Sequence, residues 1–380
     1  MPRRQTFPGS HASLAALLCL LSGAASAQPE GPPAQAAQPA AEPSTPVDPS
    51  ILDTDNRSAQ NNALEQEITP QSEEAVARGL AALAATQNPD GSFGEPSWGR
   101  RVAVTSIACL AFMADGNLPG RGAYGEVVSK GLDYVLSACT ESGLISAEAA
   151  NGPMYGHGFA ALFLGEVYGM TGVDDSPLSR RLHEALLKAV RLIETTQNDE
   201  GGWRYNPVPN DADVSVTICQ VMALRSARNA GIEVRKTTID RAVDYVRRCQ
   251  NPDGGFRYQA EGGPSAWPRS AAGVAALYYA GIYDDRALSA GLDYLVQSAL
   301  PGNNASQAHY YYGQYYAVQS MYLAGGQYWA TWWPAIREEL IQRQQPDGVW
   351  LDPSIGNIYG SSMALIVLQM PKRYLPIFQK

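Results

Sequence analysis

The sequence predicts an all-α chain, an α/α toroid in which six helical hairpins make an outer and an inner ring. Three observations predict it: a phrase repeated six times, an alternation of amphipathic with almost wholly apolar segments, and Pro-Gly punctuation between them. The phrase is clearest at Arg241-Ala242-Val243-Asp244-Tyr245-Val246, running on to Gln250-Asn251-Pro252-Asp253-Gly254-Gly255-Phe256. The layout recurs at Arg78-Gly79 to Gln87 and Phe93, at Lys188-Ala189 to Gln197 and Trp203, and at Gln344 to Trp350. Two weaker copies, Lys130-Gly131-Leu132-Asp133-Tyr134 and Gly291-Leu292-Asp293-Tyr294, keep the opening and lose the Gln-to-aromatic part. Aligned on the Gln, the anchors fall at positions 87, 139, 197, 250, 299 and 344. A repeat at this period marks an array of supersecondary units.

Taken in order, residues 1–27 read as an export signal and lie outside the fold. Arg3 and Arg4 give a basic start, Leu14 to Leu21 a short apolar stretch, and Ala25-Ser26-Ala27 a small-residue cleavage site. Residues 28–68, rich in Pro, Ala, Gln and Ser, offer too little apolar surface to offset ordering and read as a disordered linker. Order is expected from Thr69-Pro70, a capping residue followed by a residue suited to the first helical position. Residues 69–380 then form the toroid.

In each hairpin the first helix is amphipathic, as in Leu182, Leu186, Ala189, Leu192 and Ile193. The Pro-Asp-Gly stretch ends it, since Pro lacks an amide donor and Gly accepts left-handed angles. The second helix is apolar nearly all round: Val102 to Met113, Phe159 to Tyr168, Val214 to Leu224, Ala271 to Tyr279, Tyr315 to Leu323 and Ser361 to Met370. Such a segment is buried on every side, which makes it the inner layer. Six units of this size favour closure over an open superhelix, because closure removes the unpaired ends.

The net charge is −9, and loss of residues 1–27 makes it −11. An acidic chain without a basic run is a poor partner for nucleic acid or an anionic membrane. Eight or so apolar residues in the leader are too few to span a bilayer, which needs about 20. Four cysteines follow the leader. Cys109 and Cys139 stand 30 residues apart, as do Cys219 and Cys249. In an oxidising compartment this spacing pairs Cys109 with Cys139 and Cys219 with Cys249; four buried free thiols are the alternative. No close Cys or His spacing points to a metal, and no cofactor motif is present.

The Lys/Arg, Gly/Ala, aromatic-aliphatic, Gln, Gly-x-Trp phrase resembles the repeat of squalene and oxidosqualene cyclases and of protein prenyltransferase β subunits, over about residues 70–380. The resemblance implies that Gln87, Gln197, Gln250, Gln344, Phe93, Trp203, Phe256 and Trp350 interlock neighbouring helices and belong to the scaffold. In a ring of hairpins the loops entering the inner helices all open at one mouth. There stand Trp98, Arg100 and Arg101; Tyr155 and His157; Asp211 and Asp213; Trp267 and Arg269; His309, Tyr310 and Tyr312; and Tyr359.

Terpene cyclases that begin by protonating an alkene carry Asp-x-Asp-Asp at this place, the middle Asp being the acid. By that resemblance Asp213 is the acid and Asp211 its neighbour, but Val214 replaces the last Asp. Asp213 is equally placed to be a helix N-cap. The prenyltransferase zinc set, Asp-x-Cys with a distant His, is not matched. His157, His309, the tyrosines and a carboxylate-pairing Arg would instead suit a polysaccharide lyase. Three readings stay open: an isoprenoid-binding or divergent cyclase-like toroid, a glycan or protein interaction module, and a lyase. A closed apolar cavity would favour the isoprenoid, and an open one lined by Arg, His and Tyr the glycan.

Overall fold

The computed structural model describes residues 67–94, 102–147, 152–172, 174, 176–302 and 308–379. The leader, nearly all of the linker, Trp98, Arg100 and Arg101 lie outside the described residues. Among the described residues, twelve α-helices alternate between two layers and no strand forms. The outer helices are α1 (Pro70–Ala84), α3 (Gly125–Ser137), α5 (Pro177–Thr195), α7 (Lys236–Arg248), α9 (Arg286–Ala299) and α11 (Gly326–Arg343). The inner helices are α2 (Val102–Met113), α4 (Met154–Thr171), α6 (Val214–Asn229), α8 (Trp267–Tyr279), α10 (Tyr310–Ala324) and α12 (Asn357–Leu368).

Thr69 accepts from the Ser72 amide and Pro70 is the first helical residue, so the fold begins where the capping chemistry predicts. Each inner helix packs on the next, and α12 returns to α2, closing the ring. The layers differ as their sequences require. In α2 every residue but Ala103 is buried, whereas α7 buries Thr238, Ala242, Val243, Tyr245 and Val246 and turns its charges outward.

The repeated glutamines are the rivets. Gln250 Nε2 donates to Gly254 O in its own loop and to Ala287 O at the start of the next outer helix, at 2.9 and 2.8 Å. Gln87 and Gln197 repeat this with Gly91 and Val127, and with Gly201 and Thr238. Gln344 does so across the closure, donating to Gly348 O and to Ala75 O in α1. The aromatic that ends each repeated phrase is pinned to the inner helix that follows: Trp203 N donates to Thr217 Oγ1, Phe256 N to Ser270 Oγ and Trp350 N to Ser361 Oγ. The glycine of each loop has no substitute. Gly254 has φ of 86°, and a Cβ there would lie 2.3 Å from Ala290 O. Copy two, weak in side chains, keeps this backbone: Cys139 bridges Ile145 as Gln250 bridges Phe256.

At the end opposite the mouth, the C-terminal segment folds back over α4 and α6. Ile377 and Phe378 are buried there, and Ile377 N donates to Glu166 Oε2 at 3.0 Å.

The cysteine pairing is corrected: Cys109, Cys139, Cys219 and Cys249 are all free. Cys109 Sγ packs against Gly131 in the middle of α3, whereas Cys139 lies beyond the end of that helix, bridged to Ile145. Cys219 turns inward to the Tyr316 hydroxyl at 3.4 Å, away from the outer-layer Cys249.

Candidate functional site

The loops into the inner helices converge at one end, and α6 organises the chemistry there. Asp213 is extended (φ −141°) because it precedes the first helical residue, and its Oδ1 accepts from Val216 N at 2.9 Å. It is therefore the N-cap. Its other oxygen is buried, 3.2 Å from Arg204 Nε, an ion-pair distance without hydrogen-bond alignment. Arg204 Nη1 also reaches Asp211 Oδ2 at 2.6 Å, so one guanidinium serves two carboxylates. Burial pushes the Asp213 carboxyl up to about 6, outweighing the Val216 amide and Arg204, which both favour the charged form.

Arg204 lies over two rings, 4.8 Å from the Tyr205 centroid and 5.4 Å from that of Tyr258. The two tyrosine hydroxyls hydrogen-bond to each other. Their backbones are as fixed as their rings: Tyr205 O accepts from Met154 N at the start of α4, and Tyr258 O from Val214 N at the start of α6. Together with Tyr155, Tyr312, Arg269 and His309 they line an open cavity of about 370 Å³. Arg269 is held by two carbonyls, Nε to Phe256 O and Nη2 to Pro264 O. Those bonds orient it without cancelling its charge, and no carboxylate pairs with it among the described residues. His309 is exposed and left-handed, at φ 56°.

Below the cavity, aromatic side chains from several inner helices meet. Phe159 on α4 and Tyr315 on α10, helices on opposite sides of the ring, touch edge to face with centroids 6.2 Å apart. Tyr316 reaches Cys219, and Tyr312 donates to Ser215 O at 3.4 Å. Tyr359 is buried in the same packing.

Several sequence-predicted site residues stand elsewhere. His157 does not face the mouth. It is fully buried, its Nδ1 accepts from Ile145 N at 3.2 Å, and its Nε2 turns toward the Ala189 carbonyl of outer helix α5 without good hydrogen-bond geometry. Burial lowers its pKa to about 4, so it is neutral. Tyr310 is also directed outward, under Arg343 of α11 at 4.1 Å. Trp267 packs on Gly313 and, edge-on, on Tyr310. Thus Asp211, Asp213, Tyr155, Arg269, His309 and Tyr312 gather at the mouth, and His157 and Tyr310 do not. Sequence reasoning missed Arg204, Tyr205 and Tyr258. The signal was present: copies three and four alone read aromatic-Arg-Tyr, in Trp203-Arg204-Tyr205 and Phe256-Arg257-Tyr258.

Residues 176–305 match the prenyltransferase alpha-alpha toroid domain. Two drimenyl diphosphate synthases are similar in sequence: that of Streptantibioticus cattleyicolor is 28% identical over 190 residues, and that of Streptomyces showdoensis 30% identical over 194. Each match takes in 48% of this chain and only 32% of the relative. Among solved structures, the type II terpene cyclase MstE from Scytonema superposes with a TM-score of 0.55 at 16% identity, covering 81% of this chain and 100% of its own. An inactive α-1,6-mannanase variant from a Salegentibacter species, in complex with α-1,6-mannotriose, superposes with a TM-score of 0.60 at 7% identity, covering 78% and 98%. These identities speak for the fold alone: the chain is an α/α toroid, similar over residues 176–305 to the prenyltransferase alpha-alpha toroid domain and in overall architecture to a type II terpene cyclase.

Proposed function

We propose that the protein binds a glycan in the tyrosine-lined cavity at the toroid mouth. The observation that carries this reading is the aromatic contact across the ring: Phe159 meets Tyr315 edge to face, which narrows the axis at that level against a long apolar chain. Above that contact opens a cavity with four tyrosines, one oriented guanidinium and one imidazole in its wall. Flat rings with hydroxyl tips suit a sugar, whose faces are apolar and whose edges are polar. A cavity of this size with a few fixed polar groups is an ordinary ligand site. The mannotriose bound by one structural neighbour shows that toroids of this fold accommodate sugars. The test is a glycan-array screen of the purified protein. A signal lowered at least tenfold by Arg269→Ala supports the reading, and silence across the array defeats it. Export, read from residues 1–27 of the sequence, is a further part of the proposal.

A second reading keeps Asp213 as an acid. Its burial and its carboxyl near 6 favour it, as does the kinship with drimenyl diphosphate synthases. The ion pair with Arg204 and the helix-capping bond oppose it, since both hold the carboxylate charged. A cyclised product from a prenyl diphosphate, lost in Asp213→Asn, would put this reading first.

A further inference from the structure

We infer that the mouth cavity is one half of a longer groove, and that the groove takes a chain of sugar rings spanning both halves. The inference rests on the glycan reading and deepens it. A second open cavity of about 360 Å³ lies beside the first and shares Ala266, Pro268 and His309 with it. Those three residues form the ridge between the halves. The far half runs outward from the axis to the outer layer, where Tyr294 and Ser298 of α9 and Trp267 of α8 line it. Each half has the volume of a ligand site in its own right.

The ridge is built to hold its shape. Pro268 fixes its own φ. His309 keeps a left-handed φ of 56° at an exposed position, a conformation that non-glycine residues hold at some energetic cost and that clusters at ligand-contacting sites. Both halves offer aromatic surface: Tyr205 and Tyr258 in the inner one and Tyr294 in the outer, where the largely buried Trp267 forms part of the wall. A guanidinium has five donors, and hydrogen bonds to two carbonyls leave Arg269 donors for a ligand hydroxyl or carboxylate in the inner half. A single ring fills one half only. A chain crossing the Pro268–His309 ridge uses both, and linking two modest contacts raises affinity with no new kind of interaction.

The experiment is calorimetric titration of the purified protein with galacturonate oligomers and with neutral maltooligosaccharides of one, two, four and six units. In the series that binds, affinity should rise at least tenfold from one unit to four and then level off. The acidic series leads if Arg269 meets a carboxylate, and the neutral series if it meets hydroxyls. Ser298→Trp, at an exposed position of the outer half, should remove most of the rise, with an unchanged melting temperature as the folding control. Affinity independent of length, or a rise untouched by Ser298→Trp, would overturn the groove and leave the glycan reading standing. No binding by either series at any length would overturn both.

Discussion

Arg204 Nε and the buried Oδ2 of Asp213 stand 3.2 Å apart, and this pair makes Asp213 a scaffold residue as well as a candidate acid. The other Asp213 oxygen caps α6, so the two functions of the side chain separate by substitution. Asp213→Asn keeps an oxygen for the Val216 amide and removes only the charge. Asp213→Ala removes both and should cost about 2 kcal/mol, the upper end for a lost cap. Chemical denaturation of the two variants checks this, with Asn expected to be the milder. Equal losses would mean that the ion pair dominates the cap.

Gln344 closes the ring, which gives it a different phenotype from its equivalents. Its amide joins the last loop to Ala75 O, and its Oε1 accepts from Arg78 at 2.6 Å. Loss of these bonds in Gln344→Ala should cost about 1–3 kcal/mol. The damage should fall on α1, whose amides should exchange faster by hydrogen–deuterium exchange. Gln250→Ala should instead loosen α7 and α9 in mid-ring. Uniform loosening by both variants would argue against a localised seam.

Two buried groups give stability opposite pH slopes. Burial raises Glu166 from 4.5 to about 7, although Ser226 and the Ile377 amide both stabilise its charge. Between those values the native state holds a proton that the unfolded chain has released, so stability falls as pH rises through the window. Asp213, raised to about 6, adds to that fall. His157, lowered from 6.5 to about 4, acts in reverse: the unfolded chain binds the proton there, and stability rises with pH from 4 to 6.5. Melting temperatures across pH 4.5–7.5 should therefore turn more steeply upward in Glu166→Gln. They should turn more steeply downward in His157→Gln. The slope of each contribution is at most about 1.4 kcal/mol per pH unit.

The layers were legible in the sequence because their cause is periodic. The Gln, the loop glycine and the aromatic recur since each contacts the neighbouring hairpin, and a ring presents the same neighbour six times. Direction at the mouth was not legible, and the reason is angular. Tyr155 and His157 are two residues apart on one helix, which at 3.6 residues per turn sets them about 200° apart. Tyr155 faces the cavity, so His157 must face the outer layer. The same arithmetic sends Tyr312 to the cavity and Tyr310 to Arg343. Position at a helix start placed all four near the mouth, and only the helical phase sorts them. Arg204, Tyr205 and Tyr258 escaped for another reason. They lie in loops, where neither period applies, and their shared register with the repeat aromatic was the available clue.

The thiols offer a direct check on the correction to the cysteine pairing. Cys109, Cys219 and Cys249 are buried, and Cys139 is half-buried beside Arg181 and Lys188. Burial nonetheless pushes the Cys139 thiol up to about 11, those two cations offsetting it only in part, so little thiolate is present at neutral pH. Alkylation of the native protein without reductant should label Cys139 alone, and slowly. After denaturation all four should be labelled, as read by peptide mass spectrometry. A Cys109–Cys139 crosslink would require α3 to turn Cys139 back toward the inner layer, taking Gly131 off Cys109. Its detection would overturn the free-thiol packing between α2 and α3.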